Sequence, residues 1–273
     1  MSLDRVNSGG LVLLGCGKMG SAMLQGWLAQ GVDPKAVAIL DPNPSDWVRG
    51  LQQEGVALNG DLPKAPAVCI VAVKPQMMGD ALPRLQALGN GTTVFISVAA
   101  GTPMSAFEAV LGAQTPIIRA MPNTPAAVGK GITALIGNTL ISEADMTMAE
   151  ELLQAVGQTV RLDEEGQMDA VTGVSGSGPA YVFHLIETLA AAGAAQGLPE
   201  PLAMKLAKAT VAGAGVLAEQ ADEDPSQLRI NVTSPAGTTA AALEVLMDAQ
   251  NGFPALLKRG VKAATDRSRE LGT

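Results

Sequence analysis

The run Leu11-Val-Leu-Leu-Gly-Cys-Gly-Lys-Met-Gly20 constrains this chain more than any other segment. Four apolar residues of strand character end at a glycine. Gly15, Gly17 and Gly20 then follow the G-x-G-x-x-G spacing before a helical stretch begins. Glycines so placed allow a tight turn, close approach of a pyrophosphate to the backbone, and close packing of helix on strand. Cys16, Lys18 and Met19 fill the turn and belong to the same candidate cofactor surface. Asp41 stands 21 residues after Gly20, at the end of the next strand candidate. From there it can accept the adenosine ribose 2′-hydroxyl, which leans towards NADH over a 2′-phosphorylated cofactor. The alternative is that Asp41 caps the turn Asp41-Pro-Asn-Pro44.

Strand candidates at 11–14, 37–40, 68–73, 93–98, 117–121, 132–136 and 159–162 alternate with helical stretches at 21–30, 45–54, 78–87, 104–111 and 143–155. The last of these opens on a capping signal, Ser142-Glu-Ala-Asp145. Alternation at this spacing implies βαβ units and a mostly parallel sheet. Ligands of such sheets sit beyond the carboxyl ends of the strands. Ala72, Val73, Lys74 and Pro75, then Ala99 and Ala100, then Asn123 all follow strand candidates and are expected to converge on the nucleotide crevice. Lys74 has an equal claim to be a solvated turn residue. From about residue 167 the strand signal stops, and helices are expected at 167–173, 179–196, 201–219, 225–231, 238–251 and 253–270. The expected fold class is α/β: a Rossmann-like nucleotide-binding domain over residues 1–166, followed by an all-α domain over 167–273. The polar residues 1–10 read as a mobile leader.

A net charge of −8 argues against nucleic-acid and anionic-membrane surfaces. The longest clean apolar run, 67–73, is too short to span a bilayer. Cys16 and Cys69 are isolated, with neither metal-ligand spacing nor a disulfide framework. No metal site is expected, and the chain reads as cytoplasmic. Aromatic residues are only 3%, so alanine- and glycine-rich helices gain little area per side chain. The helix 181–195 is broken only by His184, Glu187 and Thr188. A helix apolar around its circumference must be covered on all sides, which calls for a second subunit. His184 reads as an interface residue rather than a catalyst.

Two further segments carry chemistry. Ser175-Gly-Ser-Gly-Pro-Ala-Tyr181 and Val232-Thr-Ser-Pro-Ala-Gly-Thr-Thr-Ala-Ala-Ala-Leu243 each bring hydroxyls and glycines into a turn that opens a helix. Free backbone N–H groups and hydroxyls there suit a small carboxylate. A plain helix cap is the competing reading of the second segment. A nucleotide domain joined to a small-anion site points to a reductase of a small carboxylated metabolite.

With these segments, Ala72-Val-Lys-Pro75, Arg119-Ala-Met-Pro-Asn-Thr-Pro125 and the run from Asp169 to Tyr181 assembled, the chain resembles the pyrroline-5-carboxylate reductase family from Leu11 to Glu270. The resemblance implies NADPH or NADH as cofactor and 1-pyrroline-5-carboxylate as substrate, reduced at its C=N bond to proline. It implies a homodimer, assembled into a larger homo-oligomer, with substrate bound near 232–239. By motif position Thr239 is the threonine whose hydroxyl meets the substrate nitrogen, and Ser234, Gly237 and Thr238 cradle the carboxylate. Glu165 and Asn231 line the substrate pocket, and Asn59 lies near the adenosine ribose. Alanine stands at 236 and at 209, where the family commonly has glycine and glutamine; a left-handed backbone at Ala236 would be costly. A β-hydroxyacid dehydrogenase is disfavoured because no lysine or arginine occurs between Gly173 and Met204. A non-catalytic nucleotide sensor is distinguished from the reductase by cofactor binding without turnover.

Overall fold

The computed structural model describes residues 2–272. Strands of Val, Ile and Leu build one eight-stranded sheet: β1 (Leu11–Leu14), β2 (Val37–Leu40), β3 (Ala57–Leu58), β4 (Val68–Val71), β5 (Val94–Ser97), β6 (Ile117–Met121), β7 (Gly131–Gly137) and β8 (Gly157–Arg161). Their order is β3-β2-β1-β4-β5-β6-β7-β8. Every pair is parallel except β6 with β7. Helices α1 (Ser2–Gly9), α2 (Lys18–Ala29), α3 (Asp46–Gly50), α4 (Met78–Ala81), α5 (Met104–Leu111), α6 (Glu143–Gln154) and α7 (Met168–Val171) accompany it. Thr172–Gly176 continues α7 as one π-helical turn.

The strand period of two sorts the core. Leu11, Leu13, Ile39, Ile70 and Ile96 join a cluster with Met23, Trp27, Leu152 and Leu153 of α2 and α6. Val12, Leu14, Leu40, Val71 and Phe95 join another with Leu82, Phe107 and Leu111. Both faces of the central strands are therefore buried, as parallel sheets require. Trp27 seals the first cluster, its indole N–H donating to the Leu152 carbonyl at 2.7 Å.

The expected mobile leader is instead helix α1. Val6 is fully buried, Asn7 bonds both Gly31 O and Asp33 N, and Arg5 pairs with Asp145 at 2.7 Å. A polar decapeptide hides this because a single buried valine and three polar anchors suffice to dock two turns. The stretches 45–54 and 78–87 also break. Leu51–Glu54 and Leu82–Leu88 are 3-10 segments, the latter with Pro83 in its first turn, where a missing N–H does no harm. Strand β3 was not expected; it is two residues long, and the following Asn59 N–H donates to Ile39 O.

By contacts, the first unit comprises Met1–Gly176 and Ala264–Thr273, and the second Ser177–Ala263. The break falls ten residues beyond the expected 166, and the chain's end returns to the first unit. The second unit holds α8 (Gly178–Ala195), α9 (Glu200–Gln220), α10 (Pro225–Asn231), α11 (Thr238–Leu246) and the start of α12 (Phe253–Leu271). Its core is small: Ala190, Ala203 and Ala207, flanked by Ile186 and Met204. Val182, Phe183, Leu189, Leu206 and Leu217 are exposed. Helix α9 is, by length and composition alone, long and apolar enough to cross a membrane; Lys205 and Lys208 interrupt its apolar run.

The capping box of α6 is formed as expected, Ser142 and Asp145 each bonding the other's backbone N–H. Burial works against the charged Asp145 carboxyl, but hydrogen bonds from Ser142 and Arg5 outweigh it and hold its pKa below the usual range. A depressed carboxyl contributes stability above its unfolded pKa, near 3.9, and loses it as pH falls towards the folded value. Asp145→Asn should therefore lower the melting temperature at pH 7, and the deficit should shrink in melts at about pH 3, below the unfolded value. A deficit of equal size at both pH values would contradict this.

Candidate functional site

The glycine turn sits between β1 and α2, and its three glycines have distinct reasons. Gly15 takes φ +89°, a left-handed conformation, and a Cβ there would lie 2.8 Å from Val73 Cγ1. A Cβ on Gly20 would strike the Gly15 carbonyl oxygen, so this glycine lets α2 begin against the turn. A Cβ on Gly17 would meet nothing. Gly17 is exposed and N-caps α2 without a side-chain cap bond, leaving first-turn N–H groups of Lys18 and Met19 unpaired. An open glycine shelf at a twelve-residue helix's N-terminus fits a dinucleotide pyrophosphate. Cys16 is buried, and burial pushes its thiol pKa up, against a hydrogen bond with Ser21 and aided by the Asp41 charge. It stays a thiol, so its contribution is its backbone.

Asp41 holds that backbone. Its Oδ2 accepts the Cys16 N–H at 2.6 Å and its Oδ1 accepts the Asn43 N–H at 2.7 Å. The carboxylate is 8% exposed. Asp41 caps its own turn, as one of its two readings has it, and also ties β2 to the glycine turn. Asn59, expected beside the ribose, spends its amide on Asp41. Its Oδ1 accepts Asp41 N–H at 2.9 Å, and its Nδ2 donates to Asp41 O at 2.8 Å. Its φ of 54° is a left-handed value that asparagine tolerates.

The other expected cofactor residues do gather at the carboxyl ends of the strands. Ala72 follows β4, its N–H donating to Leu14 O, and Val73, Lys74 and Pro75 continue that loop. Lys74 is exposed. Ala99 and Ala100 follow β5, the Ala99 N–H reaching Ser97 Oγ at 3.3 Å. Asn123 follows β6, but its side chain is bound up internally: Nδ2 donates to Ser175 O and Oδ1 accepts from Ile132 N–H.

Glu165 is anchored through one carboxylate oxygen. Its Oε1 accepts the Met104 N–H at 2.8 Å, capping α5, and the Arg119 Nη1–H at 3.0 Å. Arg119 is 5% exposed, and its Nε is buried with no partner. Arg119 opens one of the motifs quoted above but has no role assigned there, although it is the one charge in an otherwise apolar strand; that isolation is the available signal.

In the second unit, Ser234, Gly237, Thr238 and Thr239 form the turn into α11. Gly237 N-caps the helix with its N–H on Ser234 O, and no side chain caps it. The hydroxyls of Ser234, Thr238 and Thr239 have no partner among the described residues, and the first N–H groups of α11 are free by geometry. Ala236 does adopt the costly left-handed conformation, at φ 56°. Strain of this kind, about 1–3 kcal/mol, gathers at ligand-binding turns. Asn231 is exposed, its Oδ1 accepting from Gln227 Nε2 at 2.7 Å. His184 is exposed and pairs with Glu187 at 3.3 Å. No group of metal-binding side chains occurs among the described residues.

Residues 165–271 match the family described as pyrroline-5-carboxylate reductase dimerisation, and residues 11–101 match that described as NADP oxidoreductase, coenzyme F420-dependent. A pyrroline-5-carboxylate reductase of Pseudomonas aeruginosa is 37% identical over 96% of both chains. One of Synechocystis is 39% identical over 96% of this chain and 98% of the relative. A solved pyrroline-5-carboxylate reductase from Coxiella burnetii superposes with a TM-score of 0.90 at 32% identity, covering 98% of this chain and 100% of the other. The Plasmodium falciparum enzyme, solved with NADP bound, gives 0.83 at 26% identity over 98% and 99%.

The Asp41–Asn59 pairing predicts a defined effect on nucleotide binding. Asn59→Gly keeps the backbone angle and removes two hydrogen bonds, each worth about 0.5–1.5 kcal/mol. Dissociation constants for both NADPH and NADH, measured by fluorescence titration, should rise about tenfold. Unchanged constants would show that the pairing does not support the glycine turn.

Proposed function

The chain belongs to the pyrroline-5-carboxylate reductase family, and on that premise we propose how its residues divide the work. It is an NAD(P)H-dependent oxidoreductase that reduces the C=N bond of 1-pyrroline-5-carboxylate to give proline, the last step of proline biosynthesis. The nicotinamide cofactor, when bound, supplies the hydride. Gly15, Gly17 and Gly20, with the N–H groups of Lys18 and Met19, receive the pyrophosphate, while Cys16 fixes the turn through its backbone, its N–H held by Asp41 and its carbonyl by Ser21. Ala72, Val73, Lys74, Pro75, Ala99 and Ala100 wall the crevice, and Asn123 keeps its far side in shape.

The substrate carboxylate is received by the Ser234 hydroxyl and the N–H groups of Thr238 and Thr239 at the start of α11, with Gly237 shaping the turn through its own N–H bond to Ser234 O. The Thr239 hydroxyl orients the ring nitrogen, and Asn231 offers its amide NH₂ to the same ligand. Glu165 holds Arg119 and the start of α5. The observation that carries this reading is the turn at 234–239, where three hydroxyls and the helix's first N–H groups have no partner among the described residues. A protonated cyclic imine is already electrophilic, so orientation rather than proton donation dominates; holding reactants in line is worth about 7–11 kcal/mol.

The working form is a homodimer, assembled into a larger homo-oligomer in the cytoplasm, with neither nucleic acid nor membrane as partner. Supporting this, α8 buries only Ala190 within the chain while Val182, Phe183 and Leu189 stand exposed. A second copy is the reading for the apolar surface of α9 as well, since α9 lies within the matched dimerisation segment.

Three measurements test this. The purified chain should consume NADPH or NADH in the presence of 1-pyrroline-5-carboxylate and release proline; no consumption above background with either nucleotide would sink the assignment. Thr239→Ala should lower kcat/KM for the imine roughly ten- to a hundredfold, the loss of one hydrogen bond to a charged ligand, with nucleotide affinity unchanged. A fall in melting temperature with unaltered kcat/KM would make Thr239 a helix-cap residue only. Light scattering should find at least a dimer at micromolar concentration, weakened by Ala191→Glu, and a fully active monomer would refute the assembly.

A further inference from the structure

The end of α12 closes on the loop that follows β5. A Cβ at Gly272 would lie 2.6 Å from the Gly101 carbonyl oxygen, and one at Gly101 would lie 3.0 Å from Leu271 Cβ. The two backbones are in contact, and Gly101 takes φ +73°. A side chain at either position would push them apart. What anchors the helix end is a buried hydroxyl: Ser268, 3% exposed, donates to Asp169 Oδ1 at 2.7 Å, with the Arg269 guanidinium 3.9 Å from Oδ2. The far end of the same loop is held by the bond from Met104 N–H to Glu165. Between these anchors Gly101, Pro103, Arg119, Asp169 and Ser268 border a cavity of about 160 Å³. In this strand order the end of β2 marks the adenosine half of the crevice, so the loop after β5 borders the nicotinamide half.

We infer that Ser268 and Asp169 are positioning residues for the reduction: by docking the last turn of α12 they set the backbone of residues 99–101 against which the nicotinamide lies. This rests on the reading of residues 99–101 as a cofactor wall. Neither residue needs to touch a reactant. The hydroxyl-to-carboxylate bond is a charge-assisted one between segments 99 residues apart in the chain, so its loss frees the loop rather than a local turn.

The test compares the full-length wild-type chain with Ser268→Ala, with Asp169→Asn, which keeps the shape and one acceptor, and with Asp145→Asn as a control that loosens α6 elsewhere. Without nucleotide, amide hydrogen exchange over residues 98–104 should quicken about tenfold in Ser268→Ala and less in Asp169→Asn, as expected for a lost bond to a charged group. With nucleotide, kcat/KM should fall about tenfold while affinity for ADP-ribose, which lacks the nicotinamide, stays within about twofold. Exchange over 98–104 and kcat/KM no more affected than in the control would overturn the inference. Failure of the wild-type chain to bind either nucleotide would overturn the cofactor-wall reading and the inference together.

Discussion

Burial of both faces of the parallel sheet is the constraint from which the rest of this protein follows. All four residues of β1, β2, β4 and β5 are buried. A surface closed on both sides leaves polar groups only the strand ends, where backbone donors and acceptors run out. Asp41, Asn59, Ser97 and Asn123 all stand there, and the candidate cofactor crevice with them. Arg119 is a charged exception, a guanidinium inside β6. It is tolerated because Glu165 meets it at 3.0 Å, since a buried charge without a partner costs several kcal/mol.

The polar side chains at these ends bond mainly to backbone. Asp41 is occupied by Cys16 and Asn43, Asn59 by Asp41, Glu165 by Met104, and Asn123 by Ser175 and Ile132. These bonds fix the loops at the strand ends. Such preorganisation suits recognition of an anionic cofactor, because no side chain must be reordered when the ligand arrives. The turn into α11 shows the opposite economy, with hydroxyls left unused and a strained Ala236. Groups kept unsatisfied in the isolated chain are those available to a ligand.

Much of this was readable beforehand, and the failures share a cause. Strands β1, β2 and β6 and helices α5 and α10 have the expected limits, because apolar period and flanking glycine or proline act locally. Helix α1 was missed because its docking depends on Val6 meeting a core assembled from residues far along the chain. The partners of Asn59, Asn123 and Glu165 were not legible because a motif identifies which residue stands at a loop, and not which neighbour its side chain reaches. Arg119, Asp169 and Ser268 were not singled out because their partners lie 46 and 99 positions away.

The sequence by itself determined the nucleotide turn, the alternation that makes a parallel sheet, the change to helices and the family, since each rests on short-range spacing or on motifs kept in order. Tertiary structure alone decided where the first unit ends, that the last ten residues return to it, and which carboxylates are occupied. The physical reason is range: turn chemistry and hydrophobic period act over a few residues, whereas a carboxylate's partner is chosen by packing between segments that only the completed core brings together.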